Sequence, residues 1–227
     1  MLNIFAPVKR CSMKNKEIQE QRMRGYFLDA TKEMVRAEGL KSLSVRSIAD
    51  KAGYSYATMY SYFKDVNDLV FLCVQDFYEE CRQQVTDQTK KKERGLKRLK
   101  AMVRAYADFF VQYPGIFELF FLERMGNFKE SDVINLSLDR ICEEEWNYCA
   151  AKGIIRAEEI EGMKARTRYT IFGLLLMYLN RRAPSSYTEF LHLFNAQLDT
   201  ILENSRPEQS STTVNNSLIS IKVGNNK

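Results

Sequence analysis

Histidine occurs once in the 227 residues, at His192, and the five cysteines, Cys11, Cys73, Cys81, Cys142 and Cys149, form no CxxC pair. Zinc sites need clustered His and Cys ligands, and a disulfide framework needs an even set, so neither is indicated and reduced, buried thiols are expected. Cys73 with Cys81, and Cys142 with Cys149, share helical faces but lie too far apart along one helix to bridge; thiol sensing between helices stays open. There is no glycine-rich phosphate loop, no metal-ligand spacing and no nucleophile beside an evident base, which argues against an enzyme and implies no cofactor and no metal. His192, in an apolar helical stretch, reads as a surface or interface residue. No apolar run reaches the ~20 residues that cross a bilayer. The longest, Tyr169 to Leu179, is closed by Arg181 and Arg182. At the start, "MLNIFAPVKRCSMK", basic residues follow a short apolar stretch, the reverse of a secretory signal, so a cytoplasmic protein with no membrane partner is expected. Proline appears four times, and no strand alternation survives comparison with the helical one.

What is present is an ordinary globular balance, 45% hydrophobic and 28% charged, with an uneven distribution of charge. The first 65 residues hold twelve Lys and Arg against seven Asp and Glu, so the entire net charge of +5 resides there. That asymmetry suits an end that meets a polyanion, although a solvated basic face without a partner has the same composition. Lys9, Arg10, Lys14, Lys16, Arg22 and Arg24 cluster at this end as a basic arm over residues 1–16 and the turns after it. A translation start at Met13 would shorten that arm.

Hydrophobic periodicity predicts an all-α chain of about nine helices. From Glu17 to Glu38, Phe27, Ala30, Met34 and Ala37 recur at spacings of three and four, and Gly39 is placed to end the helix in the left-handed conformation. Ser44 is a candidate N-cap for a second helix with Val45, Ile48, Ala49 and Ala52 inward, and Gly53 stops it. Ser55 then caps a third, with Met59 and Phe63 inward and Ala57, Thr58, Tyr60 and Ser61 directed elsewhere. Two short helices about a glycine turn make a helix-turn-helix, whose second helix enters a DNA major groove. Further helices are predicted over residues 67–88, 96–112, 115–126, 132–151, 158–182 and 187–203. The Asn-, Ser- and Thr-rich tail, 205–227, is expected to be disordered. Domains follow as 17–65 for DNA binding and 66–204 for the rest.

The segment "YFLDATKEMVRAEGLKSLSVRSIADKAGYSYATMYSYFKDVNDLV", residues 26–70, resembles the DNA-binding module of the TetR family of bacterial transcriptional regulators. The resemblance lies in the order and spacing of Ala30, Gly39, Ser44-Val45-Arg46, Ile48-Ala49, Ala52-Gly53, Ser55, Thr58-Met59-Tyr60, Phe63 and Leu69. It implies DNA contacts from Ser44, Arg46, Ser55, Tyr56, Ala57, Thr58, Tyr60, Tyr62 and Lys64. Thr58 and Tyr60 would meet phosphate, Tyr56 and Ala57 base edges, and Arg46 the groove. Tyr60 and Tyr62 can also serve packing between helices, and Arg46 a surface ion pair. Ala57 replaces the family's usual glycine, and Val66 a frequent phosphate-binding lysine, for which Lys64 can substitute.

The resemblance also implies a ligand cavity and a dimer in the helical remainder. Met102, Tyr106, Phe109, Phe117, Phe121, Met125, Trp146 and Cys149, with Phe110 and Phe120, are candidates to surround a small apolar or aromatic effector, or simply to fill the core. Arg104 and Glu123 can orient a polar end. Phe172, Leu175, Leu176 and Leu179, then Phe190, Leu193, Phe194 and Leu198, offer an apolar surface for a homodimer. A dimer would read an inverted-repeat operator as a ligand-released repressor. An effector-independent or thiol-sensing DNA-binding protein of the same fold is the alternative.

Overall fold

The computed structural model describes residues 15–122 and 137–203, and every regular element among them is helical. Met125, Glu123 and Cys11, the arm residues before Asn15, and the tail lie outside the described residues.

Helix α1, Asn15–Glu38, is followed by a 3-10 turn at Leu40–Ser42. Gly39 ends α1 at φ 72° and ψ −164°, a combination that only glycine adopts freely, rather than the predicted left-handed one. The buried face also differs from the predicted stripe. Phe27, Ala30, Thr31 and Val35 are buried, Met34 is half-buried and Ala37 is exposed. The cause is tertiary: α1 packs against α2, α4 and α6 together, so its inward face is set by three neighbours rather than one.

Helices α2, Val45–Ala52, and α3, Tyr56–Tyr60, begin where their caps predict. The Ser44 hydroxyl accepts the Ser47 N–H at 3.0 Å while the Ser47 hydroxyl accepts the Ser44 N–H at 2.9 Å, a reciprocal cap that satisfies two otherwise orphaned donors. Gly53 stops α2 in the left-handed conformation, φ 78°. The Ser55 hydroxyl accepts the Thr58 N–H at 3.1 Å.

Helix α4, Val66–Thr89, joins two cores. Leu69 belongs to a small N-terminal core with Phe27, Ile48, Ala49, Met59 and Phe63. From Val70 onward, α4 enters the main core with α5, Leu96–Gln112, and α6, Pro114–Phe121. Pro114 sits in the first turn of α6, where its missing N–H costs nothing. The single helix predicted up to Ala151 is two, α7 over Leu138–Ile141 and α8 over Glu143–Ala151. Cys142, at φ −94° and ψ 3°, interrupts the run, and both Ile141 and Cys142 are buried. Two long helices, α9 over Ile160–Leu179 and α10 over Tyr187–Glu203, pack on each other and are the last of the described elements.

Candidate nucleic-acid interface and effector cavity

Burial of Ile48, Ala49, Met59 and Phe63 fixes α2 and α3 on the small core and turns their other faces outward. Arg46, Tyr56, Ala57, Tyr60 and Lys64 are all exposed there. Tyr56 is 60% and Tyr60 52% exposed, a large amount for rings that a core would take up if it had room. Such rings can lie on sugar while their hydroxyls donate to phosphate oxygens. Three of the basic side chains in the module are already paired: Lys32 and Arg36 with acids of α4, and Lys51 with Glu33 at 3.0 Å. Arg46 and Lys64 have no ion pair among the described residues.

The other predicted contacts have structural duties. The Ser44 and Ser55 hydroxyls cap helices, and Thr58, half-buried, shares a hydrogen bond of 2.9 Å with Ser55. Tyr62 is half-buried, with its ring 6.5 Å from that of Phe27, and its carbonyl accepts from Arg24. Val66 opens α4 and packs between the two cores. Sequence reasoning missed an aromatic pair beside the turn: Tyr26 and Tyr54, both exposed, stack with centroids 5.9 Å apart. The signal was available, since four tyrosines between residues 54 and 62 exceed what a six-residue core can hold.

The second site is a cavity of about 760 Å³ walled by α4, α5, α6, α7, α8 and α9. Of the predicted lining residues, Tyr106, Phe117 and Phe121 reach it, with Phe120 beside them. Met102, Phe109, Trp146 and Cys149 do not. They are buried in the main core, because the periodicity that marks an inward face does not distinguish a packed interior from a hollow one. Burial pushes the Tyr106 phenol well above its usual range, with Cys81 and Cys142 nearby as smaller contributors. It therefore stays a neutral hydroxyl in the wall.

Phe172 and Leu175, expected on a partner-facing surface, line this cavity instead. Phe172 closes a ring cluster with centroid distances of 5.8 Å to Phe117 and 5.4 Å to Phe121. The rest of the expected dimer surface divides in the same way. Phe190, Phe194 and Leu198 are buried in the protomer's own core, Leu176 and Leu179 are half-buried, and Leu193 is exposed. Residues four apart on α10 make one continuous apolar row, and that row covers this chain's own interior.

The charged residues of the cavity were not foreseen. Asp139, Arg140, Glu143, Glu161, Lys164 and Arg168 all line it, whereas Arg104 pairs with Asp108 at 3.0 Å and stays outside. No group of three or more His, Cys, Asp or Glu among the described residues can hold a metal ion, and no described helix is long and apolar enough to cross a membrane.

Residues 27–72 match the family model for bacterial regulatory proteins of the tetR family. No curated protein matches the chain in sequence. Solved structures match it in fold. A TetR family transcription regulator from Marinobacter aquaeolei VT8 is 19% identical with a TM-score of 0.60, over 81% of this chain and 97% of that one. The transcriptional regulator FadR from Bacillus subtilis, solved with stearoyl-CoA, is 17% identical with a TM-score of 0.64, over 78% and 97%. The ketosteroid transcriptional regulator KstR2 of Mycobacterium tuberculosis is 17% identical with a TM-score of 0.55, over 82% and 95%. The DNA-binding module of this chain is thus that of the tetR family of bacterial regulatory proteins, carried on the fold of TetR-family transcription regulators.

Proposed function

We propose that this protein is a dimeric repressor that binds an inverted-repeat operator and leaves it when a small apolar or aromatic effector enters the C-terminal cavity. The observation that carries the reading is the double duty of α4. Leu69 packs beneath the reading helix, and Val74, little more than one turn later, stands in the cavity wall. A ligand that presses on α4 therefore presses on the element that orients α3. It can do so only by the difference in its affinity for the bound and released states.

A second connection runs through α6. Phe117, Phe120 and Phe121 line the cavity, while the other end of α6 lies directly on α1. A Cβ added to Gly115 would fall 2.3 Å from the Val35 carbonyl oxygen and 3.0 Å from the Gly39 Cα. That backbone contact leaves no slack between cavity wall and reading head. FadR, solved with stearoyl-CoA, supports the view that this fold houses a ligand.

Selection of bound duplexes from a random pool by the purified protein tests the reading. Recovery of an inverted repeat is expected, with relaxed sequence preference for Arg46→Ala, since one good arginine–guanine contact discriminates by ~1–3 kcal/mol. Tyr60→Phe is expected to weaken all sequences alike. A thermal-stabilisation screen of apolar and aromatic compounds, followed by release of the selected duplex, tests the effector. A pool that returns no sequence at any salt concentration contradicts the reading.

A further inference from the structure

The cavity has two chemically different ends, and one face of α9 runs past both. Lys164, Arg168, Ile171, Phe172 and Leu175 follow one another along that face and all line the cavity. Charge occupies the first half of the row and apolar side chains the second. From Lys164 to Leu175 the helix axis advances about 16 Å at 1.5 Å per residue. The apolar end is roofed by the rings of α6, with Phe117 and Phe121 5.0 Å apart and both on Phe172. Space of this kind suits a molecule with a long apolar body.

At the charged end the cations and carboxylates are paired, but the pairs differ in kind. Arg168 donates to Asp139 and so ties α9 to α7, which makes that pair part of the fold. Arg140 and Glu143, 3.6 Å apart, are both well exposed. Lys164 is the exception. Its side chain is only 16% exposed, while that of its partner Glu161, 2.8 Å away, is 84% exposed. The lysine side chain is held in the cavity wall, while its counter-ion stands in water. An ion pair with so exposed a member contributes little, so another carboxylate can replace Glu161 at small cost. A charge-assisted hydrogen bond in the less hydrated wall would be the stronger of the two. A cationic head finds no equal opening, since Asp139 is already covered by Arg168 and Glu161 stands in solvent.

We infer that the cavity takes a single-chain amphiphile with an anionic head, its body among the rings of α6 and Phe172 and its carboxylate on Lys164 in place of Glu161. The inference rests on the reading of the cavity as an effector site. It is tested by calorimetric titration of the full-length protein with dodecanoate, dodecanol and dodecyltrimethylammonium, each below its micelle concentration.

Dodecanoate is expected to bind about tenfold more tightly than dodecanol, the effect of one hydrogen bond to a charged group. Lys164→Gln is expected to bring dodecanoate down to the level of dodecanol while leaving dodecanol unchanged, which also shows that the variant is folded. Glu161→Gln is expected to strengthen dodecanoate binding by removing its competitor. Equal or tighter binding of the alcohol or the ammonium compound, or loss of both acid and alcohol in Lys164→Gln, overturns the anionic head and leaves the effector cavity standing. If none of the three binds, the amphiphile is overturned, and the effector reading falls separately only if the compound screen on the selected duplex also finds no release.

Discussion

Glu145 shows what a single buried charge does here. In the sequence it is the last of three consecutive glutamates, a pattern that reads as a solvated helix face. In the structure it is 2% exposed and receives Arg94 at 3.2 Å, Arg98 at 3.8 Å and the backbone N–H of Gly95, which opens α5. Removing one member of a buried ionic group leaves the others uncompensated. Glu145→Ala is therefore expected to cost ~3 kcal/mol or more in urea unfolding, and Glu145→Gln less because it can still accept from Gly95. The cysteines illustrate the converse, since their burial was legible from residue type and helical spacing. Burial pushes the Cys73 and Cys81 thiols up to about 12. At neutral pH they are poor nucleophiles, so a thiol reagent is expected to label Cys73, Cys81, Cys142 and Cys149 of the native protein only after denaturant is added. Rapid labelling of any of these four would favour the thiol-sensing alternative.

Between elements, the clearest joint is that of α1 with α4. Lys32 pairs with Asp76 at 3.0 Å and with Glu80 at 2.6 Å, and Arg36 pairs with Glu80. Partial burial works against the charged form of Glu80, but hydrogen bonds from Lys32 and Arg36 outweigh it and hold its carboxyl below the usual glutamate range. A carboxylate whose folded pKa is depressed stabilises the fold above its unfolded pKa, and that stabilisation is lost as pH falls through the folded pKa. The thermal midpoint of the wild type is therefore expected to fall more steeply than that of Glu80→Gln on acidification from neutral pH through the glutamate range. Parallel curves would show that the joint contributes nothing. Local signals of this scale were largely readable in advance. Ser44, Gly53 and Ser55 sit where their capping or backbone chemistry demands, and the limits of α5 and α10 coincide with those predicted. What was not readable is which neighbour each face meets. Val35 is buried while Ala37 is exposed, Phe172 lines a cavity, and Lys164 stands in the wall, each because of elements distant in sequence. Periodicity reports an inward direction and says nothing of what lies there.

At the scale of the whole molecule, the proposed dimer must use the side of the α9–α10 pair that the protomer leaves open. Ile171, Leu175, Phe190, Phe194, Leu198 and Leu202 are consumed internally. On other sides of the same helices Met177 and Leu193 are exposed and Leu176 and Leu179 are half-buried. Apolar side chains in this number on two adjacent long helices favour a two-fold seam in which each pair packs on its copy. Such a seam sets two reading heads at a fixed separation, about one DNA turn of ~34 Å or a multiple of it. It also makes binding of the second half-site intramolecular, which raises affinity by about 10²–10⁴ without new contacts. Leu193→Arg places a charge in the seam at a position that is 40% exposed in the protomer. It is expected to yield a monomer by analytical ultracentrifugation, with unchanged helicity, and to weaken operator binding by a factor of that order while a single half-site is bound as before. A Leu193→Arg protein that remains dimeric would move the seam elsewhere. A monomer that binds the full operator as tightly as the wild type would instead dissociate two-fold assembly from DNA recognition, and the inverted repeat would have to be explained by cooperation on the DNA itself.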